Sequence, residues 1–485
     1  MTAIEPIPTN AAFQYLEEQL AKQKSAFLES PMPTAKERIH NLDKLHNAIL
    51  DYQDRLVTAV NNDFSNRSEA ETLIAEIYAV LEGIDYNRKR LKKWMKPQRR
   101  HVPLSLQPAS VKVIYQPLGV IGIVVPWNLP IFLCLSPLVS ALAAGNSVMI
   151  KSSEFAPQTA NVIKDMLETT FSSNEVSVFN GAVEVSQAFT KLPFDHLVFT
   201  GATPVGKMVM KAAAENLTPV TLELGGKSPT IIHDSFPMAE AAKRIAFGKG
   251  MNGGQICVSP DYIFCPRDKV NEFASEFIKC FSQRYPTIRN NPDYTSVINE
   301  RQYDRLQSYL QDAQDKGARL MTINPANESF EGTRKIPLTL VLNASNDMRV
   351  LNEEIFGPIL PILPYDNIEE ALSYINAKPR PLALYYFDWD KKRASTILNK
   401  THSGGVCIND TLSHAMADDI PFGGIGPSGM GHYHGKEGFI NFSKAKGVVQ
   451  KGKINAAEFV APPWNRPIYN LFIALLKFRF RRRSI

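Results

Sequence analysis

With 485 residues, 44% of them hydrophobic, the chain can fill more than one core. Its five cysteines (Cys134, Cys257, Cys265, Cys280 and Cys407) contain no C-x-x-C pair, which argues against a disulfide framework and a structural zinc site. The net charge of +6 belongs to one end: residues 464–485 carry Arg466, Lys477, Arg479, Arg481, Arg482 and Arg483 without an acid, and the rest balances at 48 basic against 48 acidic groups.

A formally neutral body gives no reason to expect a nucleic-acid partner. The start, Met1 to Pro6, has neither the basic nor the apolar stretch of a signal peptide, so a reducing cytoplasm is the expected compartment. The first hundred residues read as helices. Thr34 to Glu37 and Ser68 to Glu71 both fit the capping-box pattern. Ile39, Leu42, Leu45, Ile49 and Leu56 follow at helical spacing, predicting one helix with a single buried stripe. Pro97 ends a second run after the basic stretch Arg88 to Lys96, which reads as a solvated face.

Val111, Val113 and Tyr115 alternate as in a half-exposed strand, and Val120 to Val125 runs apolar as in a strand buried on both faces. Strand and helix then take turns. Strands are predicted at 147–150, 176–179, 197–199 and 221–224, with helices at 158–171 and from about Pro204. This is the rhythm of a parallel, doubly wound sheet. A second series begins near Pro229, with strands at 231–233 and 262–265 around a helix at 238–250, and continues past Glu353 to about Gly405. Two α/β units are therefore expected to meet at residues 224–229.

Chemistry concentrates in a few segments. Asn252-Gly253-Gly254-Gln255-Ile256-Cys257 sets a thiol behind two glycines, where backbone or ligand must approach closely, and a thiolate is a strong nucleophile. Glu223, in Thr221-Leu222-Glu223-Leu224-Gly225-Gly226-Lys227, is a carboxylate in an apolar, glycine-rich setting and a candidate general base. Asn128, in Pro126-Trp127-Asn128-Leu129-Pro130, is a candidate oxyanion donor or a turn asparagine. Gly201-Ala202-Thr203-Pro204-Val205-Gly206-Lys207 lies between strand and helix, where phosphate meets backbone N–H groups. Met208 follows that lysine instead of Ser or Thr, so the hydroxyl a nucleotide-triphosphatase loop uses for magnesium is missing; G-x-G-x-x-G is absent too. Lys151 and Glu154 end another apolar strand and could hold ribose hydroxyls, or stand as two solvated charges. Cys134, Cys265 and Cys280 read as small core residues. His432-Tyr433-His434 has no third ligand at metal spacing and reads as loop histidines, so no metal is expected.

Taken together, the segments 222–229, 253–257, 126–128, 199–206, 353–358 and 421–429 resemble the aldehyde dehydrogenase superfamily, over roughly residues 110 to 445. Ser428 to Lys436 resembles its class 3 branch, and Asn409 to Leu412 with Asp418 to Phe422 looks most like bacterial coniferyl-aldehyde dehydrogenases. The resemblance implies an α/β fold of two doubly wound domains, a variant dinucleotide-binding fold plus a catalytic domain, with a small β oligomerisation element. It implies a cofactor-binding domain at 1–225 with an oligomerisation hairpin near 100–116, a catalytic domain at 226–408, a returning segment at 409–450 and a tail at 451–485. Cys257 would be the nucleophile, Glu223 the base and Asn128 the oxyanion donor beside the N–H of Cys257. Trp127, Lys151, Glu154, Gly201, Ala202, Thr203, Pro204, Val205, Gly206, Leu224, Glu354 and Phe356 would bind NAD or NADP. Ser152 stands where many members have proline after the lysine.

The implied reaction is oxidation of an aldehyde, aromatic or fatty, by a homodimer. Two readings of other kinds stand beside it: a silent binding member of the fold, and a cofactor-free cysteine hydrolase, which would need a partner histidine. The tail from Ile468 to Arg483 is too short to span a bilayer. Its apolar run and basic end suit an anionic membrane surface or a partner subunit.

Overall fold

The computed structural model describes residues 9–103, 106–453, 455, 458, 461–464 and 466–480. Its apolar runs become two sheets. The first has six strands in the order Gly429–Met430, Val220–Leu224, His196–Gly201, Val120–Val124, Ser147–Lys151, Val176–Phe179. All run parallel except the first, which pairs antiparallel with Val220–Leu224 and sets Gly429 opposite Glu223. Chain order reverses between Val120–Val124 and His196–Gly201, so the crevice for a ligand opens beyond the carboxyl ends of those two strands.

The second sheet runs Arg319–Thr322, Thr339–Leu342, Ile359–Tyr365, Tyr262–Pro266, Pro229–Ile232, Ala383–Phe387, Gly405–Ile408, parallel apart from its first strand. Residues 225–228 join Val220–Leu224 to Pro229–Ile232, so the glycine-rich segment after Glu223 connects the two sheets. A third, antiparallel sheet sets Ala109–Pro117 between Gln98–Arg99 and Ser443–Lys451; the nine-residue partner of Ala109–Pro117 comes from far along the chain.

The helix Ala35–Asp51 starts on the expected box: Thr34 Oγ1 accepts from Glu37 N at 3.3 Å, and Glu37 Oε2 accepts from Thr34 N at 2.6 Å. It does not continue to Leu56. The chain breaks at Tyr52 and restarts as Gln53–Phe64, yet Leu42, Leu45, Ile49 and Leu56 are all fully buried. Each such side chain contributes about 1.5–3 kcal/mol by leaving water. Arg38 caps a neighbouring helix, Phe132–Ala144, donating from Nη1 to the carbonyls of Ala143 and Ala144 at 3.2 and 2.6 Å.

The second predicted box does not form. Ser68 Oγ donates instead to Asp293 Oδ1 at 3.3 Å, and Glu71 turns toward residues 252 and 295. Long-range partners, an acceptor for Ser68 and donors for Glu71, have outcompeted the local ones. Cys134 and Cys265 are buried in apolar cores as expected, but Cys280 is only half-buried. His434 lies in a loop as expected, just before the helix Gly435–Asn441, but it is buried, with its ring stacked on Phe422 at 5.1 Å between centroids.

Near the C-terminus, the helix Pro467–Arg479 has no buried residue, and Leu471, Leu475 and Phe478 face solvent. No helix among the described residues is long and apolar enough to cross a membrane. Met1 to Pro6 and Arg481 to Arg483 lie outside the described residues.

Candidate active site

The crevice at the reversal of the first sheet holds a cavity of about 300 Å³ lined by Trp127, Asn128, Gly201, Ala202, Glu223, Leu224, Cys257, Glu354 and Phe356, among others. Nine residues named from the sequence therefore meet in one place. Lys151, Glu154, Thr203, Pro204, Val205 and Gly206 lie outside that cavity. Lys151 ends the strand beside Val120–Val124, Glu154 stands in the turn that follows it, and the remaining four open the helix Thr203–Ala214 after Gly201.

Cys257 is presented by a turn of three left-handed residues, Asn252 (φ +51°), Gly253 (φ +58°) and Gly254 (φ +74°). Asparagine tolerates that conformation and glycine adopts it freely. At Gly254 a Cβ would also stand 2.5 Å from the carbonyl oxygen of Gly357, so no side chain fits. Asn252 Nδ2 donates to the carbonyls of Asn128 at 2.9 Å and Gln255 at 3.1 Å. Asn128 Nδ2 donates to the same Gln255 carbonyl at 3.1 Å, which leaves its second N–H for another acceptor. Asparagine 128 and the cysteine loop are thus one hydrogen-bonded unit.

Three further side chains from the N-terminal helical region hold that unit, Arg67 from a loop between helices and Glu71 and Glu76 from helical turns, and sequence reasoning missed them all. Glu71 accepts from the N–H of Asn252 at 3.1 Å and from Thr295 Oγ1 at 2.8 Å. Arg67 and Glu76 form a fully buried ion pair, Nη1 to Oε1 at 2.6 Å. Arg67 Nη1 also reaches the Asn128 carbonyl at 3.4 Å, while Glu76 Oε2 accepts from the N–H groups of Ile131 and Phe132 at 2.7 and 3.1 Å. Glu76 lies in a widened π-turn, Leu73–Tyr78, a local form that recurs beside functional sites. Removing one partner of such a pair strands a buried charge and costs about 3–5 kcal/mol.

On the opposite wall, Phe356 (φ +49°) sets its ring edge-on to Trp127, centroids 5.4 Å apart. Lys227 ties the segment between the sheets to this wall, pairing with Asp261 and donating to the carbonyls of Val350 and Glu353 at 2.8 and 2.9 Å. Gln302 and Arg305 also line the cavity, and Arg305 donates to the carbonyls of Glu354 and Ile355 at 3.2 and 2.8 Å. They were invisible as a motif; their only signal is i, i+3 spacing on one helix face.

Residues 9–448 match the family model described as the aldehyde dehydrogenase family. The chain belongs to that family. A probable coniferyl aldehyde dehydrogenase of Pseudomonas aeruginosa is 56% identical to it over 462 residues, covering 94% of this chain and 96% of the relative. Aldehyde dehydrogenase family 3 member A2 of Pongo abelii is 38% identical over 439 residues, 90% of this chain and 88% of that one. A solved structure described as the substrate-bound state of Staphylococcus aureus AldH superposes with a TM-score of 0.90 at 37% identity, covering 95% and 99% of the two chains.

Burial governs the electrostatics of this aldehyde dehydrogenase. It pushes the Cys257 thiol up to about 12, with the negative charges of Glu354 and Glu223 adding to the effect. The N–H groups of Cys257 and Val258 act the other way, favouring the thiolate. Glu223 is buried with neither carboxylate oxygen hydrogen-bonded among the described residues, and this desolvation raises it well above the usual carboxylate range. Burial, then the charge of Asp261, raises Glu354 to about 7. Lys151 is lowered to about 8 by burial, partly offset by the nearby charge of Glu154. No cluster of metal-ligating side chains occurs among the described residues.

Proposed function

We propose that this aldehyde dehydrogenase oxidises an aromatic aldehyde of the coniferyl kind to its acid, through a thioester on Cys257. The observation that carries the reading is the meeting of Cys257, Glu223 and Asn128 on one cavity, with Cys257 backed by an apolar cluster that includes Leu129, Leu133, Ile256 and Phe422. The relative that is 56% identical is named for that substrate. A cofactor-free hydrolase reading fits less well, because no histidine lines the cavity with Cys257.

In this reading Glu223 takes the thiol proton and Cys257 Sγ bonds to the aldehyde carbon. Asn128 Nδ2–H and the Cys257 N–H hold the oxygen as its charge develops. A nicotinamide dinucleotide, the cofactor of the family, supplies the acceptor for the hydride that leaves that carbon. Once it has released the thiol's proton, Glu223 takes a proton from water, water's oxygen bonds to the acyl carbon, and the C–S bond breaks to return the sulfur as a thiolate, which regains a proton from solvent.

The chain has room for such a cofactor. The helix Thr203–Ala214 starts without a side-chain cap, so its positive N-terminal end is open to a pyrophosphate, although Pro204 has no N–H and those of Val205 and Gly206 already donate to the Ala202 carbonyl at 3.0 Å. Ala202, Pro204 and Val205 are exposed there, while Gly206 is buried where a Cβ would stand 2.6 Å from Leu224 Cδ2. Thr203 completes this turn, and Lys151 and Glu154 would meet the adenine ribose. Glu154, close enough to Lys151 to act on its charge, favours NAD, because a 2′-phosphate would meet a carboxylate. Residues 1–225 with 409–450 would then form the cofactor half and 226–408 the thiol half.

Initial rates of nicotinamide reduction with coniferyl aldehyde, benzaldehyde and a fatty aldehyde series, each with NAD and NADP, test this. The expected order places coniferyl aldehyde with NAD first in kcat/KM. A fatty aldehyde preferred by roughly tenfold, about 1.4 kcal/mol in transition-state binding, would overturn the aromatic assignment.

We further propose a homodimer, supported by the free edge of Ser443–Lys451, and contact of the helix Pro467–Arg479 with an anionic membrane surface. That helix exposes Leu471, Leu475 and Phe478 beside the cations Lys477 and Arg479. A chain ended at Trp464 should lose cosedimentation with phosphatidylglycerol vesicles and remain dimeric by light scattering. Undiminished vesicle binding would reject the membrane role, and a monomeric product would assign the helix to the dimer instead.

A further inference from the structure

We propose that His432 is the group through which Glu223 returns its proton to solvent. The inference rests on Glu223 being the base. In each turnover that carboxylate must release what it has taken from thiol and water, yet it is 3% exposed and neither oxygen has a hydrogen-bond partner among the described residues. Glu223 lines the cavity that substrate and cofactor occupy, so a proton leaving while that cavity is filled needs a second way out.

The outlet is marked by Gly423. A Cβ there would stand 2.6 Å from His432 Nδ1 and 3.1 Å from Glu223 Oε1, so both atoms border the same small space. His432 Nδ1 is itself buried and unpartnered, whereas its ring is only half-buried. The imidazole therefore spans from the carboxylate toward water. Two alternatives beside it fail on chemistry. The Tyr433 hydroxyl, near both Glu223 and Cys257, is raised well above its ordinary value by burial and accepts no proton near neutrality. His434, buried and lowered to about 4, stays neutral and out of contact with solvent.

The backbone holds His432 in this position. Gly429 pairs opposite Glu223, and the N–H of Leu224 donates to the Ser428 carbonyl at 3.1 Å. Gly431 (φ +82°) turns the chain back. Asn441 Nδ2 then donates both to the His432 carbonyl at 3.0 Å and to Thr221 Oγ1 at 2.7 Å, tying the histidine to the strand that carries Glu223. The titratable groups facing His432 are Glu223 from that strand and Tyr433 and His434 from its own loop. The helix Gly435–Asn441 presents Asn441, and residues 421–424 present Gly423.

The proton balance is simple. Glu223 gains H⁺ from water as the acyl carbon gains hydroxide and the C–S bond breaks. The same H⁺ passes to His432 Nδ1 and the proton on Nε2 leaves to bulk water; the half-buried ring then turns Nδ1 to water and regains its Nε2–H form, and no other reactant is consumed. His432 is thus a relay acting through Glu223.

The test is His432→Ala and His432→Gln in the full chain, with multiple-turnover stopped flow and pH profiles. The expected result is an intact first-turnover burst of reduced nicotinamide, a steady-state rate lowered about tenfold or more, and restoration by added imidazole in His432→Ala. The pH dependence of kcat should also shift in both variants. Steady-state rates and pH profiles matching the unmodified enzyme would overturn the relay, as would a loss in His432→Ala that imidazole does not restore and His432→Gln does not share. A separate Glu223→Gln measurement keeps the two ideas distinct: unimpaired turnover there sinks the base, whereas slow Glu223→Gln beside unaffected His432 variants sinks only the relay.

Discussion

Cys257→Ala is expected to abolish formation of reduced nicotinamide from every aldehyde, a loss of roughly 10⁴-fold or more, while cofactor binding survives. The size follows from covalent chemistry. Without sulfur there is no adduct from which hydride can leave, and no other thiol can substitute. Cys134, Cys265 and Cys407 are buried, and Cys280 sits on the helix Val270–Arg284; none of the four lines the cavity. The fold should tolerate the change, because the loop is set by the left-handed turn at 252–254 and by Asn252, Gln255 and Glu71 rather than by the thiol. Rates should be read beside a cofactor-binding titration. Turnover persisting in a variant that binds cofactor normally would sink the nucleophile assignment, and an unmodified enzyme that binds cofactor but turns over no aldehyde would favour a silent member of the fold.

Glu223→Gln should give a burst of product followed by steady-state turnover lowered by about 10²–10⁴-fold, since an amide takes no proton from water. The first half-reaction also slows to the extent that Glu223 deprotonates a thiol held near 12. The same variant carries a stability signature. Burial raises Glu223 well above 4.5 in the folded protein, so above pH 4.5 the unfolded chain ionises while the folded one keeps its proton. Folding then binds a proton, and stability falls as pH rises from 4.5 until it passes the folded value. Glutamine removes this dependence. Thermal melting of Glu223→Gln relative to the unmodified enzyme should therefore improve with rising pH; a difference that does not vary with pH would mean Glu223 ionises alike in both states.

Much of this site could be read from local pattern. Val120–Val124 and Ser147–Lys151 are legible as apolar runs with Trp127, Asn128 and Lys151 at their carboxyl ends, and Glu223 is legible from its apolar, glycine-rich setting. What stayed hidden was whatever depends on distant partners. Glu71 looked like a capping glutamate because its local neighbours fit the box, but its acceptor oxygens serve Asn252, 181 positions away. Arg67 and Glu76 carry no signal at all, because a buried ion pair looks in sequence like two ordinary surface charges. His432 is a loop histidine, as its sequence suggests, but only the antiparallel return of Gly429–Met430 brings it beside Glu223. The break at Tyr52 marks the other limit, since two helices can share one apolar stripe.

The late return of Gly429–Met430 also bears on how the enzyme is made. Glu223 and Cys257 leave the ribosome well before the strand that lines up against Glu223 and the histidine that follows it. A growing chain can contain the thiol and the acid, but the acid's surroundings are assembled only after the segment near residue 430 is synthesised. The last wall around the acid is therefore laid down late in synthesis, when most of the chain has already left the ribosome.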